Sequence, residues 1–294
     1  MPDWMLGCWK RRSISFADGL SDVQTQVFWL QSRGFTIDLR LPPGCDQLPA
    51  KALADYDATE RARLADHEGW CADAEWDGRA LSWCNTEASL QLHNRWPEPA
   101  ILQRTGNCMV EHCPSGAYVE DWRLQSSADG PLAGLRLIDE RELDGGRVRQ
   151  RGGGLIVCGD YAALTLGRAG TLAAGQSLKA RVAEAGADVA RLAALFGCET
   201  SVAHGDAASG YSVFLSTWPG RVGQTLFPLD GFEVAAGGVV QRLEIEGRRV
   251  ERRFEIDTLE AAVAFPQATS WPPHAADWYA REQGTLRRHA EVLR

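Results

Sequence analysis

The feature that most constrains this chain is an alternation of apolar and polar residues with period two. It recurs in short runs separated by Gly, Pro, Asn and Asp. Successive side chains of a strand point to opposite faces, so the pattern marks half-buried antiparallel strands. It predicts strands over roughly 5–16, 22–31, 34–41, 69–76, 79–91, 100–105, 107–113 and 117–124. A second set follows over roughly 133–143, 147–158, 161–168, 199–204, 210–217, 223–228, 239–246 and 249–257. Ser32-Arg33-Gly34, Asp77-Gly78 and Glu246-Gly247 read as tight hairpin turns. Three helices interrupt the pattern. One spans about 47–67, with a capping box at Asp57 and Glu60. The second spans about 175–197, with Leu178, Val182, Ala185, Val189, Leu192 and Phe196 on one stripe. The third spans about 275–292, behind Pro272-Pro273.

Strands without βαβ alternation exclude a parallel α/β fold. The length suits two antiparallel units, and closing each into a barrel removes exposed edges. The expected fold is mainly β, with two tandem lipocalin-like barrels over 1–150 and 151–294. The second barrel carries the covering helix and the C-terminal helix. Arg151-Gly152-Gly153-Gly154 is expected to be the hand-over between them. No GxxxxGK[ST] or GxGxxG follows a strand and opens a helix, so the glycines are no phosphate loop.

A net charge of −8 gives no basic field for nucleic acid. No run approaches the ~20 apolar residues of a membrane span. No signal-peptide pattern opens the chain, so the expected location is the cytoplasm. The eight cysteines are scattered, without a CxxC pair, and read as reduced, part-buried thiols. Cys108 and His112 fall on the strand face opposite Cys113, and no fourth ligand completes a zinc set. No metal and no cofactor is expected. Ser201 and His204 also fall on opposite faces, and no nucleophile elbow is present, which argues against a serine hydrolase.

Gly7-Cys8-Trp9 resembles the G-x-W of lipocalins and the wider calycin group. In those proteins the Trp closes one barrel end and a late Arg packs over it. Gly106–Glu111, Ala117–Trp122 and Gly152–Arg168 resemble a run in the fungal HRI1-like proteins. The opening from Gly7 to Pro42 is similar to that of bacterial relatives of those proteins. The resemblance covers most of residues 6–168 and thins afterwards, with Gly210–Gly223 a candidate continuation. It implies two calycin-like barrels in tandem and a pocket, without implying a reaction. Calycin-like barrels serve as carriers of apolar ligands, as haem proteins and as occasional cofactor-free enzymes.

Strand parity then selects candidate site residues. Trp9, Arg11, Ser13 and Ser15 share one face of the first strand; Cys8, Lys10, Arg12, Ile14 and Phe16 share the other. Tyr118, Glu120 and Trp122 share a face of a later strand. Between 34 and 41, Phe35, Ile37, Leu39 and Leu41 oppose Asp38 and Arg40. A barrel interior containing Arg11 must neutralise it, because an unpaired buried cation costs several kcal/mol. Glu120 is the first candidate partner and Glu111 the second. One reading makes these residues interior ion pairs. The other makes Arg11 the anchor of an anionic group and Glu120 a proton carrier, with Glu111 and His112 as further acid–base candidates. Trp9, Trp29, Tyr118 and Trp122 are expected to line the cavity. The resulting expectation is a protein that binds a small, largely apolar or aromatic molecule. It would transform that molecule by cofactor-free lyase or isomerase chemistry, or carry or sense it without catalysis. A third reading is a protein–protein adaptor with filled barrels. A homodimer fits any of the three.

Overall fold

The computed structural model describes residues 1–94, 97–173, 175–265, 277 and 280–285. The first nine strands are β1 (Gly7–Phe16), β2 (Ser21–Asp22), β3 (Gln26–Gln31), β4 (Phe35–Leu41), β5 (Glu68–Trp76), β6 (Ala80–Ser89), β7 (Ala100–Thr105), β8 (Cys108–His112) and β9 (Tyr118–Leu124). They form one antiparallel sheet in which β1 pairs with β3 on one side and β9 on the other. Eight strands thus close into a barrel, and the short β2 hangs on the end of β1. The β1–β9 register slips between Arg11 and Ser13. An extra residue in one strand flips every side chain beyond it. Trp9 and Arg11 face inward as parity requires, but after the bulge Ile14 faces inward instead of Ser13 and Ser15.

The remaining strands are β10 (Gly130–Glu142), β11 (Val148–Cys158), β12 (Tyr161–Arg168), β13 (Glu199–Asp206), β14 (Gly210–Ser216), β15 (Phe232–Ala235), β16 (Gly238–Ile245) and β17 (Arg248–Val263). They form a second antiparallel sheet in the order β14-β13-β12-β11-β10-β17-β16-β15. Among the described residues no ladder joins β14 to β15, so this sheet is open where a second closed barrel was expected. The stretch 223–228, expected as a strand, runs as irregular chain along β14. Val213 N–H donates to Gln224 O at 2.9 Å and Leu226 N–H to Tyr211 O at 2.8 Å, which satisfies that edge. The chain passes between sheets over 125–129, and Gly152–Gly154 lie inside β11.

Those glycines have a packing role. A Cβ on Gly154 would stand 2.8 Å from the Phe35 ring, and one on Gly134 would stand 3.1 Å from it. Phe35, on β4 of the barrel, therefore seats directly on the backbone of the second sheet. The Arg136 guanidinium lies 4.7 Å from the centre of the same ring. Along β4 all seven residues are buried. Phe35, Ile37, Leu39 and Leu41 point out of the barrel and join Leu132, Ile156, Ala163 and Val202 in a core shared by the two sheets. The intervening Thr36, Asp38 and Arg40 point into the lumen.

The helices are shorter than the periodicity predicts. The expected 47–67 helix is only α1 (Ala58–Leu64), and it starts at the Asp57–Glu60 capping box. The 175–197 helix breaks into α2 (Leu178–Ala185) and α3 (Val189–Leu195). Gly186, at φ +57°, ends the first, and the Asp188 side chain caps the second. Leu178, Val182, Ala185, Leu192 and Phe196 pack on Leu48, Tyr56, Leu64 and Leu90 outside the barrel. Val189, beyond the break, is exposed. The expected 275–292 helix falls mostly outside the described residues, although 277 and 280–285 are helical. No helix among the described residues is long and apolar enough to cross a membrane.

Candidate functional site

The barrel is plugged at one end. A 3-10 turn, Asp3–Met5, crosses it, and Trp9 is fully buried beneath, its indole N–H donating to Met5 O at 2.9 Å. The Arg104 guanidinium lies 5.1 Å from the Trp9 ring centre and donates to the carbonyls of Trp4 and Gly106. Burial pulls the Arg104 pKa down to about 10, which a neutral, carbonyl-rich setting does not offset. Trp29 stacks on Trp9 with centroids 6.3 Å apart and meets Trp122 edge-on at 5.5 Å. These rings fill the plugged end of the lumen.

A polar cluster lies above them. Arg11 Nη1 donates to Glu120 Oε1 at 2.8 Å, and Arg11 Nη2 donates to Asp22 Oδ2 at 2.9 Å on the rim. Arg40 grips Asp38 with two hydrogen bonds, 2.8 and 3.3 Å, and stands 3.7 Å from Glu120 Oε1. Burial opposes the Arg40 charge, but Asp38, Glu120 and Glu68 outweigh it and hold the guanidinium protonated. Glu111 faces Glu120 directly across the β8–β9 ladder. It accepts from Trp122 Nε1 at 3.0 Å and from the Tyr118 hydroxyl at 3.4 Å. Burial, then the neighbouring Glu120, push the Glu111 carboxyl well above the usual carboxylate range. Both causes favour the protonated form of Glu111 beside Glu120.

Beside this cluster, under the 86–94 segment, is a cavity of about 230 Å³. Glu68, Trp70, Ala72 and Trp83 line it from β5 and β6, with Gln91, His93 and Asn94 at its edge. The Trp70 and Trp83 rings meet edge-on at 5.9 Å, and Trp83 meets Trp29 at 6.2 Å. The indole N–H groups of Trp70 and Trp83 are buried and have no acceptor among the described residues. Glu120 Oε2 is likewise buried without a donor among the described residues.

Arg11, Glu111, Tyr118, Glu120 and Trp122 are thus brought together in the lumen. His112 is not; it alternates with Glu111 and faces outward, half-buried. Trp9, Trp29 and Trp122 were expected to line a cavity, but they are packed against one another and the free space is lined by Trp70 and Trp83. Asp38, Arg40, Glu68, Trp70 and Trp83 were not foreseen. The usable signal was Asp38-Leu39-Arg40 alternating with four large apolar residues, read with the less common orientation of polar side chains inward. All eight cysteines are free thiols, and no cluster of three metal-ligating side chains occurs among the described residues. Ser201 bonds Glu199 and Ser216, and His204 meets Tyr161 edge-on with ring centroids 5.0 Å apart. Comparison with protein-family models, with curated proteins and with solved structures finds no match to this chain.

Proposed function

We propose that the closed barrel binds a small, largely aromatic molecule carrying a hydrogen-bond acceptor, seated between Trp70 and Trp83. The carrying observation is the pair of buried indole N–H groups without acceptors at one cavity. Each unsatisfied buried donor costs about 1–3 kcal/mol, so an acceptor placed there recovers energy the empty site forgoes. The aromatic walls select a flat, apolar body. Kinship with the calycin group is part of this reading, supported by Gly7-Cys8-Trp9 and by Arg104 over the Trp9 ring.

Glu111 favours a second reading. A carboxylic acid held protonated beside Glu120 is a proton source of the kind used in cofactor-free lyases and isomerases. In that reading Arg11 and Arg40 hold the Glu120 side of the pair while Glu111 gives up its proton.

The test is an NMR titration of the eleven tryptophan indole N–H signals with coumarin, a flat molecule with a carbonyl acceptor. Saturable shifts of the Trp70 and Trp83 signals, weakened in Trp83→Phe, are the expected result. Coumarin, benzamide and quinoline all leaving both signals in place would overturn the binding reading. Slow conversion of a bound probe that stops in Glu111→Gln would support the catalytic one.

A further inference from the structure

We infer that the second sheet holds a separate site for an unbranched alkyl chain. The two edge strands, β14 and β15, lie at opposite ends of the sheet, yet both line one cavity of about 320 Å³. The sheet is therefore curled around that space. Its floor is Leu135, Leu155, Val157 and Phe227, all buried. Its rim is Leu229, Val234 and Leu259, which are 40%, 88% and 58% exposed. A flat apolar face would show no such grading; a hole with a greasy mouth does.

The lining also says what the occupant lacks. The Tyr211 hydroxyl is spent on Gly159 O at 2.9 Å, and Glu233 is paired with Arg242 at 2.6 Å. A ligand with polar groups along its body would leave them unsatisfied, which disfavours it strongly. A methylene chain loses nothing and gains from every buried carbon. Its polar end would remain at the exposed rim. A second copy of this chain is a poorer occupant, because a sheet edge cannot reach the floor residues beneath the rim. This site is independent of the tryptophan cavity, which offers hydrogen-bond donors and lies in the other sheet.

The experiment is a titration of the methyl-labelled protein with n-decanoate, with butyrate as the short-chain control. Saturable shifts of the Leu135, Leu155, Val157 and Leu259 methyl signals are expected with decanoate, below its micelle concentration, and none with butyrate. Ala133→Phe, which fills the half-buried lining, should weaken binding about tenfold or more. Leu259→Glu, at an exposed rim position that folding does not need, should weaken it severalfold. Trp83→Phe should leave decanoate binding unchanged, and Ala133→Phe should leave the coumarin titration unchanged, so either site can fail alone. Absence of saturable shifts, or full binding in Ala133→Phe, overturns the inference. So does a self-associating wild type that becomes monomeric in Leu259→Glu while decanoate shifts no methyl, because that assigns the rim to a second copy.

Discussion

Both halves of the molecule are antiparallel sheets whose main run is eight strands, but among the described residues only the first closes. Its lumen is filled by indole rings and by charges that neutralise one another: Arg11 with Glu120 and Asp22, and Arg40 with Asp38. The second is lined around its cavity by Leu, Val and Ala, with Tyr211, Phe227, Phe232 and Phe254 stepping from ring to ring near its edges and the Arg252–Glu140 ion pair buried farther along the same face. Closure through hydrogen bonds fixes the first lumen, so directional polar contacts survive there. The second sheet has the same ladders without closure, and its cavity walls pack by non-directional burial, which suits an apolar occupant. The same strand count therefore yields two cavities of different lining, one with indole N–H groups and one with aliphatic walls.

The most damaging way to break this contrast is at the seam. Phe35→Ala removes a fully buried ring from the core that both sheets share, and should cost about 3–5 kcal/mol. Urea unfolding followed by tryptophan fluorescence and by circular dichroism should shift together; a barrel melting alone would show that the halves are energetically separate. Next comes Arg11→Met, which removes the nearer cation of Glu120 and leaves it Arg40 at 3.7 Å, and should cost up to about 3 kcal/mol. Glu120→Gln on the same background should restore part of that loss, and purely additive losses would count against a coupled pair.

A pH titration sharpens the comparison further. The folded pKa of Glu111 lies above its unfolded value, near 4.3. Its contribution is fully present below about pH 4.3 and is lost as pH rises toward the folded value, up to about 1.4 kcal/mol per unit. Glu111→Gln should flatten that decline without altering the decanoate titration of the second sheet. An unchanged pH slope in this variant would remove Glu111 as its source. The smallest effect expected is at Asp57→Ala, which uncaps α1 and should cost about 1 kcal/mol by thermal unfolding, with both cavities intact.

Much of the architecture was legible because period-two alternation depends only on one buried face. The capping box at Asp57 was readable for the same local reason, whereas the closing role of Trp9 came from the resemblance of Gly7-Cys8-Trp9 to lipocalins. What escaped were tertiary decisions. Nothing in the run Lys10-Arg11-Arg12-Ser13 announces a bulge, yet the bulge decides that Ile14, not Ser13, enters the lumen. Gly152–Gly154 read as a linker because glycine signals freedom, whereas Gly154 makes room for Phe35 and Gly153, at φ +106°, lies against the Thr165 backbone. The pairing of Arg11 with Glu120 followed from charge compensation. The sites of open space did not, because residual volume depends on how the rings of Trp9, Trp29 and Trp122 stack, and that is settled only in three dimensions.

Because β4 is buried on both sides, it has no position where sequence can drift freely. A change at Ile37 or Leu39 is felt by the second sheet, and a change at Asp38 or Arg40 is felt by the lumen. The strand also forbids modular reuse of the barrel. A fragment ending between the sheets, near residue 128, would present Phe35, Ile37, Leu39 and Leu41 to water as one continuous greasy stripe, and self-association would be its fate in solution. In a ribosome-bound chain that stripe waits uncovered until β10 to β13 emerge. The first half of this protein therefore depends during synthesis on residues not yet made.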